Sequence, residues 1–348
     1  MLNLKNKFSR CREQRWYKFL VMALKLLLAG AIISIVIFRG GVQKEQFSDL
    51  AWGWLLAAFA VILLQHVLTG IRWWLLLRLI GIGTKLTEAV SLTLQGLFYT
   101  LFIPGGSVSG DVVKAALISS RAGEGNRFAA VFSVLIDRVC GLCGLLILSL
   151  IAAVTALACN LSSSQWFRHL LMMIVVVSPL GLLAALMAFR CDIVLKIRFL
   201  KACFDLLDRI SRGGFSRIEA ALAAYRPAWK SVLECVLLSG FVAFPLFALA
   251  AFLIGSACLA GEGAYLMNNI VGSLLSGSIG ELAATLPLTP GGLGVRDAAY
   301  CEILKACSIP AAQAAVIPVV FSAIYVAASA VGIVFALHTI LLAKSKKR

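Results

Sequence analysis

Long apolar runs alternate with short polar segments along almost the whole chain, and each run is about as long as a membrane-spanning helix. Because a helix needs roughly 20 apolar residues to cross the hydrocarbon core of a bilayer, the pattern predicts about six full spans. These spans are expected at residues 19–38, 52–77, 128–158, 169–189, 231–259 and 311–341. The sequence therefore predicts an all-α polytopic membrane protein.

Two further apolar segments, residues 86–120 and 265–307, are interrupted by proline and glycine. Proline lacks a backbone N–H and glycine adopts positive φ without strain, so each interruption allows a helix to stop and reverse. Both interruptions, here called the first and second tips, read Pro-Gly-Gly, four further residues and then Asp: Pro104, Gly105, Gly106 and Asp111 in the first, and Pro290, Gly291, Gly292 and Asp297 in the second. Each segment is predicted to form a helical hairpin.

Positive charge sets the expected orientation of the spans. The N-terminus, residues 190–230 and the C-terminus are strongly basic, so all three are expected on the cytoplasmic side. The basic stretch 121–127 then lies on that side only if residues 86–120 enter and leave the membrane there. By the same count, residues 265–307 enter and leave on the outer side. Both hairpins are thus predicted to be re-entrant, one from each face of the membrane.

Each predicted hairpin is preceded by one span and followed by one span. The resulting units, residues 52–158 and 231–341, would have opposite orientations in the membrane. We therefore predict an inverted-topology repeat, an architecture of many transporters whose binding site lies near the bilayer midplane. The other parts are the basic N-terminus with the first span, a span with a basic amphipathic cytoplasmic linker, and a basic tail: residues 1–51, 159–230 and 342–348.

The composition excludes an ordinary soluble domain. Of the 348 residues, 61% are hydrophobic and only 14% are charged, whereas a soluble domain has about 25% charged residues. The formal net charge is +16, but the basic residues flank the spans, which favours topology and lipid-headgroup contact over nucleic-acid binding. The sequence contains no metal-ligand motif and no GxxxxGK[ST] phosphate loop, so neither a metal nor another cofactor is predicted.

The two tips carry the first candidate binding residues. The helix after each tip begins with unpaired N–H groups, which favour an anion such as phosphate. Arg296 adds positive charge at the second tip, and Lys114 lies one turn into the helix after the first. Asp111 and Asp297 either cap these helices themselves, which closes the anion sites, or take part in substrate contact, and the sequence leaves both alternatives open.

Ionisable residues within the apolar segments are the other candidates, since a charge costs roughly 2.5–3.5 kcal/mol at the bilayer centre and usually faces the protein interior. Arg72 shares a helix face with Gln65 and Thr69, and it either snorkels to the interface or lines a headgroup path. Asp137 and Arg138 form a structural ion pair or contact substrate. The full candidate substrate site contains Arg72, Pro104, Gly105, Gly106, Asp111, Lys114, Asp137, Arg138, Glu281, Pro290, Gly291, Gly292, Gly294, Arg296 and Asp297.

Four motifs in chain order carry a resemblance to a known family. They are Arg72-Trp73-Trp74-x-Leu76-Leu77, Ile103-Pro104-Gly105-Gly106-x3-Gly110-Asp111-x2-Lys114, Asp137-Arg138-x2-Gly141-Leu142 and Pro290-Gly291-Gly292-Leu293-Gly294-Val295-Arg296-Asp297-Ala298-Ala299. With them, about residues 20–340 resemble the lysylphosphatidylglycerol synthase transmembrane-region family, also called flippase-like integral membrane proteins. The family pattern often has Glu in place of Asp137 and Asp297 and Arg in place of Lys114, so charge is kept while side-chain reach differs.

The resemblance implies a multi-pass protein of the bacterial or archaeal cytoplasmic (inner) membrane that is linked to lipid translocation. Both termini are expected in the cytoplasm. Because the chain ends shortly after its last predicted span, it is expected to lack a soluble synthase domain, and lysyl transfer is not predicted.

The sequence thus favours a lipid transporter, and not an enzyme, that moves an anionic phospholipid or a polyprenyl-phosphate-linked lipid between leaflets. One alternative is a non-transporting membrane scaffold for a lipid- or glycan-modifying enzyme, with residues 190–230 as the docking surface. A less favoured alternative is an intramembrane enzyme that acts on a lipid phosphate with inward-facing carboxylates. The expected partners are a lipid phosphate, the membrane and, in the scaffold alternative, the modifying enzyme.

Overall fold

A computed structural model describes residues 20, 23–42, 51–102, 108–159, 164–196, 208–209, 211, 214–259, 265–286 and 288–345. These residues form helices and connecting turns, without a strand among them. The helices, numbered here in chain order, are α1 (Ala23–Gly40), α2 (Trp52–Leu79), α3 (Leu86–Phe102), α4 (Ser109–Ser119), α5 (Arg127–Ala158), α6 (Gln165–Phe189), α7 (Gly214–Ala223), α8 (Arg226–Cys258), α9 (Leu266–Ala284), α10 (Val295–Ala306) and α11 (Ala311–Ser345).

Six of the described helices, α1, α2, α5, α6, α8 and α11, are long and apolar enough to cross a membrane. They coincide with the six predicted spans, which confirms a multi-pass helical membrane protein. Helices α1 and α6 are the least buried of the six. Val176, Leu180 and Leu183 of α6 point away from the protein, as expected for side chains that contact lipid.

The two interrupted segments form pairs of helices that pack on each other, α3 with α4 and α9 with α10. Glycine permits both close approaches. A Cβ on Gly110 of α4 would overlap the carbonyl oxygen of Gly96 in α3, and a Cβ on Gly280 of α9 would overlap the ring of Tyr300 in α10.

The ends of each hairpin lie close together. Arg121, just after α4, forms an ion pair with Glu88 in the first turn of α3. In the second hairpin, Asn268 near the start of α9 donates a hydrogen bond to the carbonyl oxygen of Cys307, just after α10, at 2.9 Å. Each hairpin therefore begins and ends at nearly the same place.

The second tip is a tight buried turn. Residues Pro290–Gly292 form a single 3-10 turn, and Gly291, Gly292 and Gly294 have φ values of 59°, 74° and 82°. Side-chain-bearing residues rarely adopt such angles, so the glycines are needed to reverse the chain. A Cβ on Gly291 would overlap Leu101, so this tip lies against the last turn of α3. The first-tip residues Pro104, Gly105 and Gly106 lie outside the described residues.

The main helix contacts follow a recurring pattern. Helices α2 and α8 pack on each other, and each also packs on the hairpin that follows it, α2 on α3 and α8 on α9. In addition, α3 packs on α11, and α9 packs on α5. The largest apolar cluster, with Ile62, Phe247, Leu304 and Phe321 among its members, joins α2, α8, α10 and α11.

The polar segment 190–230 is described only in part. It contains a four-residue helix, Cys191–Val194, and the exposed helix α7. Arg226 ties the segment to the end of α6 by donating to the carbonyl oxygen of Phe189 at 3.3 Å. Much of the predicted basic amphipathic linker, including residues 197–207, lies outside the described residues, as do the first 19 residues of the basic N-terminus.

Candidate functional site

A cavity of about 200 Å³ lies between the two hairpins, with α2, α5, α8 and α11 completing its wall. Residues from both halves of the chain line it, including Thr100 of α3 and Thr285 just after α9. The cavity brings together seven of the candidate site residues: Arg72, Asp111, Lys114, Asp137, Arg138, Glu281 and Gly291. Gln65 and Thr69 also line it, which confirms that they share one face of α2 with Arg72.

The charged centre of the cavity wall is a group that we call the Arg72 cluster: Arg72, Lys114 and Asp137. The Arg72 Nε lies 2.8 Å from Asp137 Oδ1, and the Lys114 Nζ lies 3.3 Å from Asp137 Oδ2. Each of the three residues is only 4% exposed. Arg72 therefore does not snorkel to the membrane interface. With two cations and one carboxylate, the cluster has a formal charge of +1.

Neighbouring residues provide space and partners for the two cations. Gly141 lies one turn after Asp137 on α5, and a Cβ there would come within 3.4 Å of both terminal nitrogens of Arg72. The ammonium of Lys114 lies 3.9 Å from the ring centroid of Trp73, within cation–π range. Two adjacent residues of α2 therefore contribute to the cluster: Arg72 pairs with Asp137, and Trp73 contacts Lys114.

A π-helical turn in α8, Ser239–Ala243, adds a partner that the sequence analysis did not identify. Arg72 Nη1 donates to the Ser239 hydroxyl oxygen at 2.6 Å, and Ser239 in turn donates to the Cys235 carbonyl at 2.7 Å. Gly144 packs so closely that a Cβ there would overlap Ser239. Such turns often occur at functional sites. In the sequence, Gly144 and Ser239 stand out only as small residues within apolar spans. Small residues do not specify a π-helical turn.

Asp111 and Arg138 form an ion pair beside the Arg72 cluster. Asp111 therefore orients a cation, and the described N-terminus of α4 has no side-chain cap. Asp137 and Arg138 do not pair with each other, because adjacent helix positions point in different directions. The Arg138 side chain is 50% exposed, whereas the side chain of Asp137 is buried.

The second group of charges, which we call the Arg296 cluster, comprises Glu281, Arg296, Asp297 and Ser322. Arg296 lies 3.3 Å from Glu281 Oε1 and donates to Ser322 Oγ at 3.0 Å. Ser322 donates to Asp297 Oδ1 at 2.5 Å, while Asp297 Oδ2 accepts from the N–H of Gly294 at 2.8 Å. Asp297 is therefore a helix cap, which is one of the two alternatives that the sequence left open.

Arg296 is 1% exposed and is stacked between aromatic rings. Its guanidinium carbon lies 4.9 Å from the ring centroid of Phe321 and 4.5 Å from that of Tyr325. Glu281, whose side chain is 12% exposed, and Tyr325 both contact Arg296 and line the cavity wall. Five candidate residues are therefore not part of the cavity lining and lie in the protein next to it: Pro290, Gly292, Gly294, Arg296 and Asp297.

Aromatic residues complete the cavity near Glu281. The ring of His66 lies 5.8 Å from those of Phe247 and Tyr325, and all three residues line the cavity. His66 Nδ1 lies 2.8 Å from the Ile62 carbonyl oxygen of its own helix. Sequence reasoning missed these rings because, in an apolar span, aromatic residues that line a cavity resemble those that pack in a core or face lipid.

Replacing Ser322 by alanine tests the Arg296 cluster. Arg296 and Asp297 both lose a hydrogen-bond partner in a buried site, so we expect the free energy of unfolding to fall by about 1.5 kcal/mol. Thermal unfolding in detergent measures the change. Ser329→Ala is the matched control, since the Ser329 hydroxyl bonds to a carbonyl of its own helix. Equal stability of the two variants would contradict a structural role for Ser322.

The family model described as "Lysylphosphatidylglycerol synthase TM region" matches residues 22–332, a range that contains both hairpins and every charged residue of the cavity. No curated protein and no solved structure matched. Since the match covers most of the chain and agrees with the helical fold, the protein belongs to the lysylphosphatidylglycerol synthase transmembrane-region family.

Proposed function

We propose that the protein is a lipid transporter that moves a phosphate-bearing lipid between the leaflets of a bacterial or archaeal cytoplasmic membrane, without covalent chemistry. The observation that carries the proposal is the Arg72 cluster, in which two buried cations share one carboxylate beside a cavity. An anionic phospholipid and a polyprenyl-phosphate-linked lipid both carry the phosphate that this arrangement suits.

The cluster has unused capacity to donate hydrogen bonds. Arg72 bonds through Nε and Nη1, and its Nη2 has no acceptor among the described residues. The ammonium of Lys114 has three N–H donors. Among the described residues it has one hydrogen-bonded partner, Asp137. A phosphate accepts from both groups, and such charge-assisted bonds are about twice as strong as neutral ones.

The helix contacts support an inverted repeat around this cavity. Let α2, α3, α4 and α5 correspond to α8, α9, α10 and α11 in that order. Each main contact between these helices then has a counterpart that is also present. The contact α2–α3 corresponds to α8–α9, α4–α5 to α10–α11, and α3–α11 to α9–α5. The contact between α2 and α8 maps onto itself. This correspondence is expected when two similar units pack about a pseudo-two-fold axis in the membrane plane.

Contacts at the hairpin ends support re-entrant hairpins. The Arg121–Glu88 ion pair and the hydrogen bond from Asn268 to Cys307 bring the start and the end of each hairpin together. A membrane segment whose two ends meet at one surface leaves the membrane on the same side from which it entered. With the basic segments in the cytoplasm, the first hairpin opens inward and the second outward, so the two tips approach each other from opposite faces.

Replacing Lys114 by methionine tests the phosphate-binding role. The change keeps an unbranched apolar stem and leaves Arg72 and Asp137 as a balanced pair, so the fold is expected to persist. Loss of one charge-assisted contact to phosphate is expected to slow transport about tenfold. The measurement is movement of acyl-labelled phospholipids in proteoliposomes.

Lys85→Met is the matched control, because Lys85 is exposed in the turn before α3 and is not a cavity residue. This control is expected to transport at the wild-type rate. Transport by Lys114→Met at the same rate as Lys85→Met would refute the proposed phosphate contact. Absence of protein-dependent transport in the wild type would refute the transporter itself.

A further inference from the structure

The charged side chains of the cavity wall balance each other. With His66 uncharged, the described wall contains three cations and three carboxylates: Arg72, Lys114 and Arg138 against Asp111, Asp137 and Glu281. A ligand with a net charge would therefore leave the filled cavity charged in a low-dielectric environment, which is costly. A headgroup that is itself neutral overall keeps the balance.

The unused hydrogen-bond donors and acceptors lie on different parts of the wall. The donors are Arg72 Nη2 and the ammonium of Lys114. The acceptors are Glu281, which has one oxygen bonded to Arg296 and a second without a donor among the described residues, and the Gln65 side-chain oxygen. Gln65 is 3% exposed, and its oxygen is buried without a partner. The cavity thus presents a donor region and an acceptor region.

The separation of the two regions can be estimated along α2. Gln65 and Arg72 are seven residues apart on one helix face, which corresponds to two turns and about 10 Å of rise. Two hydrogen bonds of about 3 Å each occupy more than half of this distance. The rest accommodates a short linker between an anionic group and a cationic group.

The acceptor region also has aromatic walls. Tyr325 and Phe247 line the cavity near His66, and Tyr325 already stacks on the guanidinium of Arg296. Aromatic faces attract cations within about 6 Å of the ring centroid. A carboxylate, an amide oxygen and aromatic rings together suit a protonated primary amine.

We propose that the cavity binds a zwitterionic phospholipid headgroup, with its phosphate at Arg72 and Lys114 and its protonated amine at Gln65 and Glu281. This assignment rests on the proposed function in one respect: it takes the ligand of the cavity to be a lipid. It narrows the phosphate-bearing lipids to those whose headgroup also carries one amine. A headgroup with phosphate alone leaves the acceptor region unpaired and adds a negative charge to a balanced cavity.

The test measures headgroup choice by the full-length protein in two formats. In detergent, short-chain phosphatidylethanolamine and phosphatidylglycerol are titrated separately, so that binding is measured without transport. In proteoliposomes, acyl-labelled versions of the same two lipids report movement between leaflets. We expect the amine-bearing lipid to bind and move at least tenfold better than phosphatidylglycerol.

Two variants locate the amine subsite. Glu281→Gln removes the carboxylate and should reduce the preference for phosphatidylethanolamine over phosphatidylglycerol about tenfold. Gln65→Leu removes the amide oxygen and should reduce the same preference about threefold. Ser149→Ala, at a buried hydroxyl that also lacks a partner among the described residues but is not a cavity residue, should leave the preference unchanged.

The outcomes separate the headgroup assignment from transport. Equal wild-type affinity for the two lipids overturns the zwitterion assignment and leaves a phosphate-selective transporter standing. Selective binding without movement of either lipid supports the assignment and refutes the transporter. If folded Glu281→Gln loses both lipids equally, Glu281 only holds Arg296 and the assignment fails. If Glu281→Gln does not fold, an unchanged preference in Gln65→Leu overturns the assignment by itself.

Discussion

Replacing Asp137 by alanine is expected to destabilise the protein by about 3–5 kcal/mol, because the change leaves Arg72 and Lys114 buried without their shared carboxylate. Both cations are only 4% exposed, so water compensates little for the loss of the carboxylate. A fold with a total stability of roughly 5–15 kcal/mol would lose a large part of it. We therefore expect a much lower yield of folded protein and a lower midpoint of thermal unfolding in detergent.

Asp192→Ala is the matched control for Asp137→Ala. Asp192 also contacts two cations, Arg190 and Arg226, but at 3.6 Å and with its side chain 39% exposed. Water screens such a pair, so its loss is expected to cost no more than about 1 kcal/mol. Similar unfolding midpoints for the two alanine variants would show that Asp137 is not the structural partner of the buried cations.

A second comparison separates charge from shape at the same position. In the double variant Asp137→Asn with Lys114→Met, the cluster loses one carboxylate and one cation, so a single unpaired charge remains. Its stability should lie above that of Asp137→Ala, where two cations are unpaired. If the double variant is the less stable of the two, then packing, and not charge balance, governs this region.

The spans and the hairpins could be predicted from the sequence because their signals are local. A run of about 20 apolar residues is long enough to cross a bilayer wherever it occurs, so the bounds of α2 and α5 agree closely with prediction. The need for glycine at the second tip could also be predicted, and Gly291 and Gly292 indeed have positive φ. These features depend on the chain within a few residues.

The partners of the charged residues could not be predicted in the same way. Arg72 and Asp137 are 65 positions apart, and Arg72 and Ser239 are 167 positions apart. Such pairs depend on the rotation of each helix about its axis and on its depth relative to its neighbours. The π-helical turn that presents Ser239 shifts the helix register by one residue, and hydrophobic periodicity does not reveal it.

The two tips look alike in sequence but differ in chemistry. Asp297 caps α10 through the N–H of Gly294, whereas Asp111 pairs with Arg138 on another helix. Lys114 lines the cavity, whereas Arg296 lies behind Glu281 and the Tyr325 ring. Under the proposed inverted repeat and headgroup assignment, the two halves of the protein bind different parts of one headgroup.

Replacing Gly110 by alanine is expected to destabilise the protein by about 3 kcal/mol, at the upper end of the usual cost of overpacking. A Cβ at this position would overlap the carbonyl oxygen of Gly96 and the Thr100 hydroxyl, so the backbones of α3 and α4 must separate. Gly110 directly precedes Asp111 and lies one turn before Lys114, so the separation would also move two charged residues of the cavity wall.

The matched control for Gly110→Ala is Gly30→Ala in α1, where an added Cβ meets no atom within 4 Å. Alanine is the better helix former, so this control is expected to be neutral or stabilising by up to about 1 kcal/mol. The two substitutions therefore have opposite expected signs for one chemical change, and thermal unfolding measures both. If the proposed function holds, lipid transport falls sharply in Gly110→Ala and remains normal in Gly30→Ala. If Gly110→Ala keeps both stability and transport, the close contact between α3 and α4 is not what holds the cavity in shape.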